Sequence, residues 1–246
     1  MLNEQHRMDV MSNNLANANT VGFKKEGTTQ QAFDSVLAYR IKDETDGVDA
    51  AQLGGISLGV KIGENYTDYS QGSMRVTDNT YDVAINGNGF FTIDVLDANG
   101  DSSVKYTRDG SFTVNKDGYL VTSGGDYVLG RNGSRIRLDP NTDSQIDEYG
   151  NITQDGTTVG TLQITDFADY NYLEKFGNNY LQPVDGAETI QAEGKVYQGY
   201  LEASNIEVVS EMVQMINISR AYESNQKMIQ TFDSTLEIAV SKLGTV

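Results

Sequence analysis

The feature that most constrains this chain is an apolar repeat near its C-terminus. Met215, Ile218, Tyr222, Asn225, Ile229, Phe232, Leu236, Ala239 and Leu243 recur at alternating intervals of 3 and 4 residues. That spacing lays one stripe along a helix, the a/d seam by which one helix packs along another. Asn225 is its only polar member. A buried Asn in such a seam lowers stability but fixes register and partner number. Ser204 and Glu207 form an S-x-x-E capping box upstream, and Gly244 stands where a glycine would end the helix. The pattern predicts a helix from about 205 to 243, roughly 58 Å long at ~1.5 Å per residue. An average globular helix has about 11–12 residues. A helix this long owes its stability to whatever packs on its apolar face.

The 246 residues suffice for one large or two small domains. The chain has no Cys and a single His, His6. A Cys-based redox centre is therefore excluded, and so is a zinc site of the usual Cys/His type within one chain. A Ser-His-Asp triad would have to use His6, which lies in a Met-rich helical stretch; we read His6 as a partly exposed helix residue. The absence of Cys suits a protein that meets an oxidising compartment. No stretch is apolar enough to span a membrane. Residues 1–7 lack a basic segment followed by an apolar one, so no secretory signal peptide is expected and export would take another route.

The net charge of −17 is unevenly spread. Residues 1–40 hold four acids and four bases, and residues 204–246 hold five acids and three bases, which leaves −15 for the middle. Such a surface repels nucleic acid and anionic lipid. It also fits near-neutral ends that pack on copies of themselves while an acidic body faces water.

Three regions separate by pattern. Residues 1–19 read as a helix with Met1, Met8, Met11, Leu15 and Ala18 on one face, interrupted by Glu4 and ended by Gly22. A second helical segment is expected from about Gln30 to Ile41, with Phe33, Val36, Leu37 and Ile41 sharing a side. The N-terminal helical region thus covers 1–42, and the acidic, glycine-containing stretch 43–55 reads as a flexible linker. Residues 56–203 read as a β body. Asn-Gly pairs begin at Asn86, Asn88, Asn99 and Asn132, and Asp-Gly pairs at Asp109, Asp117, Asp155 and Asp185. These favour the φ > 0 geometry of tight hairpins. Strand-like runs rich in Tyr, Phe, Val, Ile and Thr lie between them, at 81–85, 90–96, 111–115, 119–121, 161–167 and 195–201. The expected fold is α+β: an antiparallel, hairpin-rich body whose N- and C-terminal helices (the latter in 204–246) pair as a discontinuous, coiled-coil-like domain.

Catalytic patterns are weak. Asp97, Asn99 and Asp101 open like a calcium loop, but Ser102 and Arg108 stand where Gly and Glu are needed. Asp139, Asn141 and Asp143 fail likewise, with Ser144 and Gly150 at those places. Both runs read as turn chemistry. Gly87 and Gly89 do not open a helix, so a phosphate cradle is not expected. Among 35 acids, spacing alone nominates no carboxylate pair for glycoside chemistry. The expectation is a protein without catalytic residues, metal or cofactor.

The segment Ser12-Asn13-Asn14-Leu15-Ala16-Asn17, continuing through Gly22 and Phe23 to Lys24, closely resembles the N-terminal signature of bacterial flagellar rod and hook proteins. Ser70–Ser73, Asp82–Phe91, Tyr106–Phe112 and Leu120–Gly125 agree in order, as do Tyr197–Asn205, Glu211 with the following Met-Val, and Arg220-Ala-Tyr222. The resemblance spans nearly the whole chain and is nearest to the distal-rod branch of this flagellar basal-body rod family, with the proximal rod and hook branches as relatives. Members usually carry further residues ahead of the position of Met1, so the first helix is expected to be shorter than theirs. The resemblance implies a tubular axial assembly with paired terminal helices inside and the β body outside. It implies export through the flagellar type III apparatus, partners among other rod and hook proteins, and torque carried from motor to hook. Two other classes remain open at this point: a secreted β-rich adhesin or binding module, and a carbohydrate-active enzyme.

Overall fold

The computed structural model describes residues 1–33, 35–40, 51–57, 59–96, 101–177 and 179–243. It is α+β, with one helix near each end of the chain and antiparallel strands between them. The chain forms two compact units. Unit 1 comprises Met1–Ala16, Glu26–Asp68 and Glu207–Val246; unit 2 comprises Asn17–Lys25 and Tyr69–Ile206.

Unit 1 is built on α1 (Leu2–Ala16) and α2 (Val208–Leu243), which pack together. At 36 residues α2 spans about 54 Å. It begins later than the S-x-x-E motif predicts. The Ser204 hydroxyl accepts the Ile206 N–H at 3.3 Å, a local turn rather than a helix cap. Asn205 is engaged elsewhere: it accepts the Lys25 N–H at 2.8 Å and donates to the Ser70 hydroxyl at 3.0 Å. That holds it outside the helix.

In α1 the buried residues are Val10 and Asn14. Met8, Met11 and Leu15 are half-buried and Met1 is exposed, so the buried face is turned from the expected methionine stripe. Glu4 pairs with Arg7 at 3.3 Å.

Among the described residues the helix expected from about 30 to 41 is absent; Ile41 of that expectation lies outside them. In its place, strand Glu26–Ala32 pairs with Val60–Thr67 and strand Val36–Arg40 pairs with Ala51–Ile56. Phe33, Val36 and Leu37 do recur at helical intervals, but non-local pairing overrides that pattern. Thr29 shows how. Its hydroxyl bridges across a register shift, accepting the Glu64 N–H at 2.9 Å and donating to the Glu64 carbonyl at 3.1 Å. Of the linker expected at 43–55, residues 43–50 lie outside the described residues, and 51–55 are strand. Strand Val60–Thr67 belongs to unit 1, and the larger segment of unit 2 runs from Tyr69 to Ile206.

Unit 2 holds the two apolar cores. Its largest sheet runs Leu173–Phe176, Tyr180–Pro183, Ser102–Thr107, Phe90–Leu96, Tyr127–Val128, Leu120–Thr122, Phe112–Val114; Ile164–Phe167 branches from Phe90–Leu96 and pairs with Thr189–Gln191. A three-stranded meander, Ser144–Ile146, Asn151–Gln154 and Thr157–Thr161, accompanies it. Lys195–Gln198 pairs with Val83–Asn86, and Tyr200–Glu202 with Met74–Val76.

Strand Phe90–Leu96 is central and buried from Phe90 to Val95. Successive side chains of a strand point to opposite faces. Phe91 accordingly joins Val83, Ile85, Phe112, Leu120 and Ile152 in one core, while Phe90 joins Tyr106, Phe167 and Leu181 in the other. The aromatic pairs are mostly edge-on, as for Phe91 on Phe112 at 5.1 Å and Tyr106 on Phe167 at 4.9 Å. Of the Asp-Gly pairs, those at Asp117, Asp155 and Asp185 have a glycine of positive φ, and Asp109-Gly110 does not. Asp155 and Gly156 both take positive φ, 49° and 77°, in the two-residue connection between Asn151–Gln154 and Thr157–Thr161.

Candidate assembly site

The predicted seam lies on α2 and divides along its length. Ile218 is buried and Met215 and Tyr222 are half-buried. Beyond them Asn225, Ile229, Phe232 and Leu236 are exposed, Phe232 and Leu236 each to 63%, and Ala239 is half-buried. Leu243 closes the helix. Met228 and Val240, which flank the seam, are exposed as well and widen the apolar surface beyond the nine seam positions. A contiguous exposed apolar surface of this kind marks an interaction site far more often than scattered single residues do.

The signature residues divide between the two units. Ser12, Asn13 and Ala16 lie at the α1 surface and Leu15 is half-buried. Asn14 is fully buried and clamps the start of the first strand. Its Nδ2 donates to the Glu26 carbonyl at 2.8 Å, and its Oδ1 accepts the Glu26 N–H at 3.0 Å. One side chain thus satisfies both main-chain groups of residue 26, and the same Nδ2 stands 3.5 Å from the Glu211 carboxylate on α2. The Asn amide offers a donor and an acceptor on separate atoms, which suits it to both groups at once.

The rest of the signature belongs to unit 2. Asn17 caps a turn, accepting from the Thr20 N–H and hydroxyl. Gly22 has φ +69°, and a Cβ there would sit 2.5 Å from the Arg108 carbonyl carbon. Both the backbone conformation and the close approach therefore require glycine. Its N–H donates to the Glu202 carbonyl at 2.8 Å. Phe23 is buried, with the Lys175 ammonium 4.4 Å from its ring centroid.

Beside them lies a buried ionic cluster. The Glu202 side chain is fully buried and accepts from Lys24 Nζ at 2.6 Å, from the Gly72 N–H at 2.9 Å and from Arg108 Nη1 at 3.2 Å. Arg108 donates further to the Gly87 carbonyl at 2.7 Å and stands 5.2 Å from the Phe90 ring centroid. Lys24 also donates to the Ser70 carbonyl at 2.8 Å. A buried carboxylate with three donors avoids the cost of an unpaired charge. Sequence reasoning placed Lys24, Arg108 and Glu202 inside motifs and gave them no role. Three charged residues, each embedded in a run of strand and turn residues, were the available signal.

His6 is half-buried, and its Nε2 lies 3.0 Å from Asn65 Oδ1. Asp139 accepts the Asn141 N–H at 3.0 Å, the turn chemistry expected of that run; residues 97–100 of the other candidate run lie outside the described residues. Among the described residues no group of three His or acidic side chains could hold a metal, and no helix is long and apolar enough to cross a membrane. Two tyrosines of unit 2 are strongly perturbed. Burial, then the hydrogen bond each donates to an aspartate, pushes the hydroxyls of Tyr170 (to Asp166) and Tyr180 (to Asp126) up to about 12.

Comparison with known proteins covers the same regions. Residues 1–24 match the family described as flagella basal body rod protein, residues 84–154 the flagellar hook protein FlgE/F/G D1 domain, and residues 197–242 the flagellar basal body rod FlgEFG protein C-terminal region. The flagellar basal-body rod protein FlgG of Buchnera aphidicola subsp. Schizaphis graminum is 35% identical over 95% of this chain and 93% of its own length. FlgG of Caulobacter vibrioides is 36% identical over 99% and 95%, and FlgF of the same organism 34% over 98% and 94%. With such relatives along almost its full length, the chain belongs to the flagellar basal-body rod protein family, and is a structural subunit of the rod in the flagellar basal body.

Proposed function

We propose that this subunit polymerises through α2, whose exposed apolar surface is covered by helices of neighbouring copies, and that the resulting tube acts as the drive shaft carrying torque from motor to hook. The observation that carries this reading is the run Ile229, Phe232 and Leu236, about half to two-thirds exposed on a helix whose N-terminal part is packed against α1. Seam spacing along that run supports coiled-coil-like contacts between helices, within one chain near Met215 to Tyr222 and between chains beyond. The acidic middle of the chain keeps the outer surface solvated. Other rod and hook proteins are the expected end-to-end neighbours, and the flagellar export apparatus the expected route outward. A secreted binding module would account for unit 2 but would leave the apolar surface of α2 without a use.

The experiment is a double substitution, Phe232→Asp with Leu236→Asp, in the gene at its native locus. The expected result is a folded, exported chain that no longer completes rods, seen as loss of motility and of rods in purified basal bodies. Wild-type motility with the doubly charged helix would contradict the reading.

A further inference from the structure

Residues 17–25 belong to unit 2, yet both of their flanks belong to unit 1: Ala16 closes α1 on one side and Glu26 opens a strand on the other. The segment is a short strap laid on the body between two excursions of the chain. We propose that this strap docks on and releases from unit 2 as a cooperative element of its own, with the Lys24–Glu202 pair as its latch.

Three observations carry it. The strap is held mainly by polar bonds: Gly22 N–H to the Glu202 carbonyl, Lys24 Nζ to Glu202 and to the Ser70 carbonyl, Lys25 N–H to Asn205, and Asn179 Nδ2 to the Val21 carbonyl. Phe23 is its one buried hydrophobic side chain. Buried ion pairs add little net stability relative to well-packed apolar residues, because desolvation opposes their attraction. Such a strap opens more readily than a strap with an apolar underside.

The receiving site is self-sufficient. Without Lys24, Glu202 keeps Arg108 and the Gly72 N–H, and Arg108 keeps the Ile85 and Gly87 carbonyls. The buried charges of Glu202 and Arg108 thus keep partners in the body when the strap leaves.

The contact is close at Gly22 but incompletely filled beside it. A cavity of about 20 Å³ is lined by Gly22, Phe23 and Lys24 together with Phe90, Arg108 and Leu181, and the buried Arg108 Nε has no hydrogen-bond partner among the described residues. That volume is enough to admit one water molecule at the contact that must open. Release would leave the body folded and lengthen the free connection on either side. The latch lies wholly within unit 2, so its test is independent of what covers α2.

Native-state hydrogen exchange on the full chain, at low denaturant, supplies that test. The amides of Gly22 and Lys25 report the strap; those of Thr92 and Leu129, bonded within the body at 3.1 and 3.0 Å, report the core. In the wild type the strap amides should exchange through a separate opening, faster and with a weaker denaturant dependence than the core. A single opening shared by strap and core would overturn the proposal. In Lys24→Met, which keeps the aliphatic stem, strap exchange should accelerate by about 10-fold or more, with Thr92 and Leu129 accelerating by no more than the same factor and keeping their steeper denaturant dependence. Unchanged strap exchange would overturn the proposal. So would a greater acceleration at Thr92 and Leu129 than in the strap, a merging of the two openings into one, or outright failure to fold, since Lys24 would then be part of the body's own core.

Discussion

Phe91 and Phe232 are the same residue type in opposite circumstances. Phe91 is fully buried at the centre of unit 2, and Phe232 lies open on α2 in unit 1. The contrast extends to the units themselves. Among the described residues, the buried hydrophobic side chains of unit 1 are Val10 and Ile218; all the others lie in unit 2. Unit 1 nevertheless carries the exposed residues Leu2, Phe33, Val60, Ile62, Val209, Met228, Phe232 and Leu236. Unit 2 is stabilised by what a single chain can bury. Unit 1 has apolar area that a single chain leaves in water, the property from which the proposed helix contacts are argued.

The largest test of the contrast exchanges these two phenylalanines for alanine. Phe91→Ala should cost about 3–5 kcal/mol, from lost transfer energy and a residual cavity. Phe232→Ala should change the lone chain's stability by less than about 0.5 kcal/mol, as for an exposed site. Denaturant titration monitored by tyrosine fluorescence reads both. Comparable losses at the two positions would break the distinction between a buried core and a waiting surface.

Gly22→Ala sharpens it within unit 2. A left-handed backbone costs a non-glycine residue roughly 1–2 kcal/mol, and the clash with the Arg108 main chain adds to that. The thermal midpoint should fall while the helical content of α2, read by far-UV circular dichroism, is kept. An unchanged midpoint would show that the strap does not contribute to the body's stability.

Much of this was legible in the sequence. The Asp-Gly pairs at Asp117 and Asp155 located two hairpins of unit 2, and strand Phe90–Leu96 coincides with its predicted run. The length of α2 followed from its repeat. The failures share a cause. Strands Glu26–Ala32 and Val36–Arg40 depend on partners well beyond the reach of a helical turn, and local spacing in this stretch fitted a helix as well. The burial of α1 follows Val10 and Asn14 because Asn14 is needed against Glu26, a polar demand that an apolar count cannot see. The Lys24–Glu202–Arg108 cluster joins positions that only the fold brings together.

A smaller effect is confined to alkaline pH. The hydroxyls of Tyr170 and Tyr180 have an ordinary value of 10.0 and are raised to about 12 in the fold. A raised folded-state value means that the contribution is fully present below about 10 and is lost as pH climbs through about 12. Unit 2 should therefore lose stability across that window. Tyr170→Phe with Tyr180→Phe should flatten the decline in a pH series of thermal melts. An unaltered slope would assign the alkaline loss to other groups.

Asn225→Ile is expected to leave the lone chain's stability nearly unchanged, since position 225 is exposed there. Its effect should appear on association: more oligomer in sedimentation velocity, and fewer complete rods in cells, because the polar contact that penalises wrong registers is gone. Wild-type sedimentation together with wild-type motility would remove the register argument and leave the contrast between the units standing.

The most direct measurement uses the absence of cysteine from the chain. Leu236→Cys introduces a single thiol on the exposed stretch of α2, and Tyr149→Cys a control on the body, where Tyr149 is 80% exposed. Maleimide labelling rates are compared between the isolated chain and purified basal bodies. Covered helices predict that Cys at 236 reacts readily in the lone chain and slower by an order of magnitude or more in assembled rods, with the control reacting readily in the lone chain. Equal labelling at 236 in both states would contradict the claim that neighbouring copies cover α2.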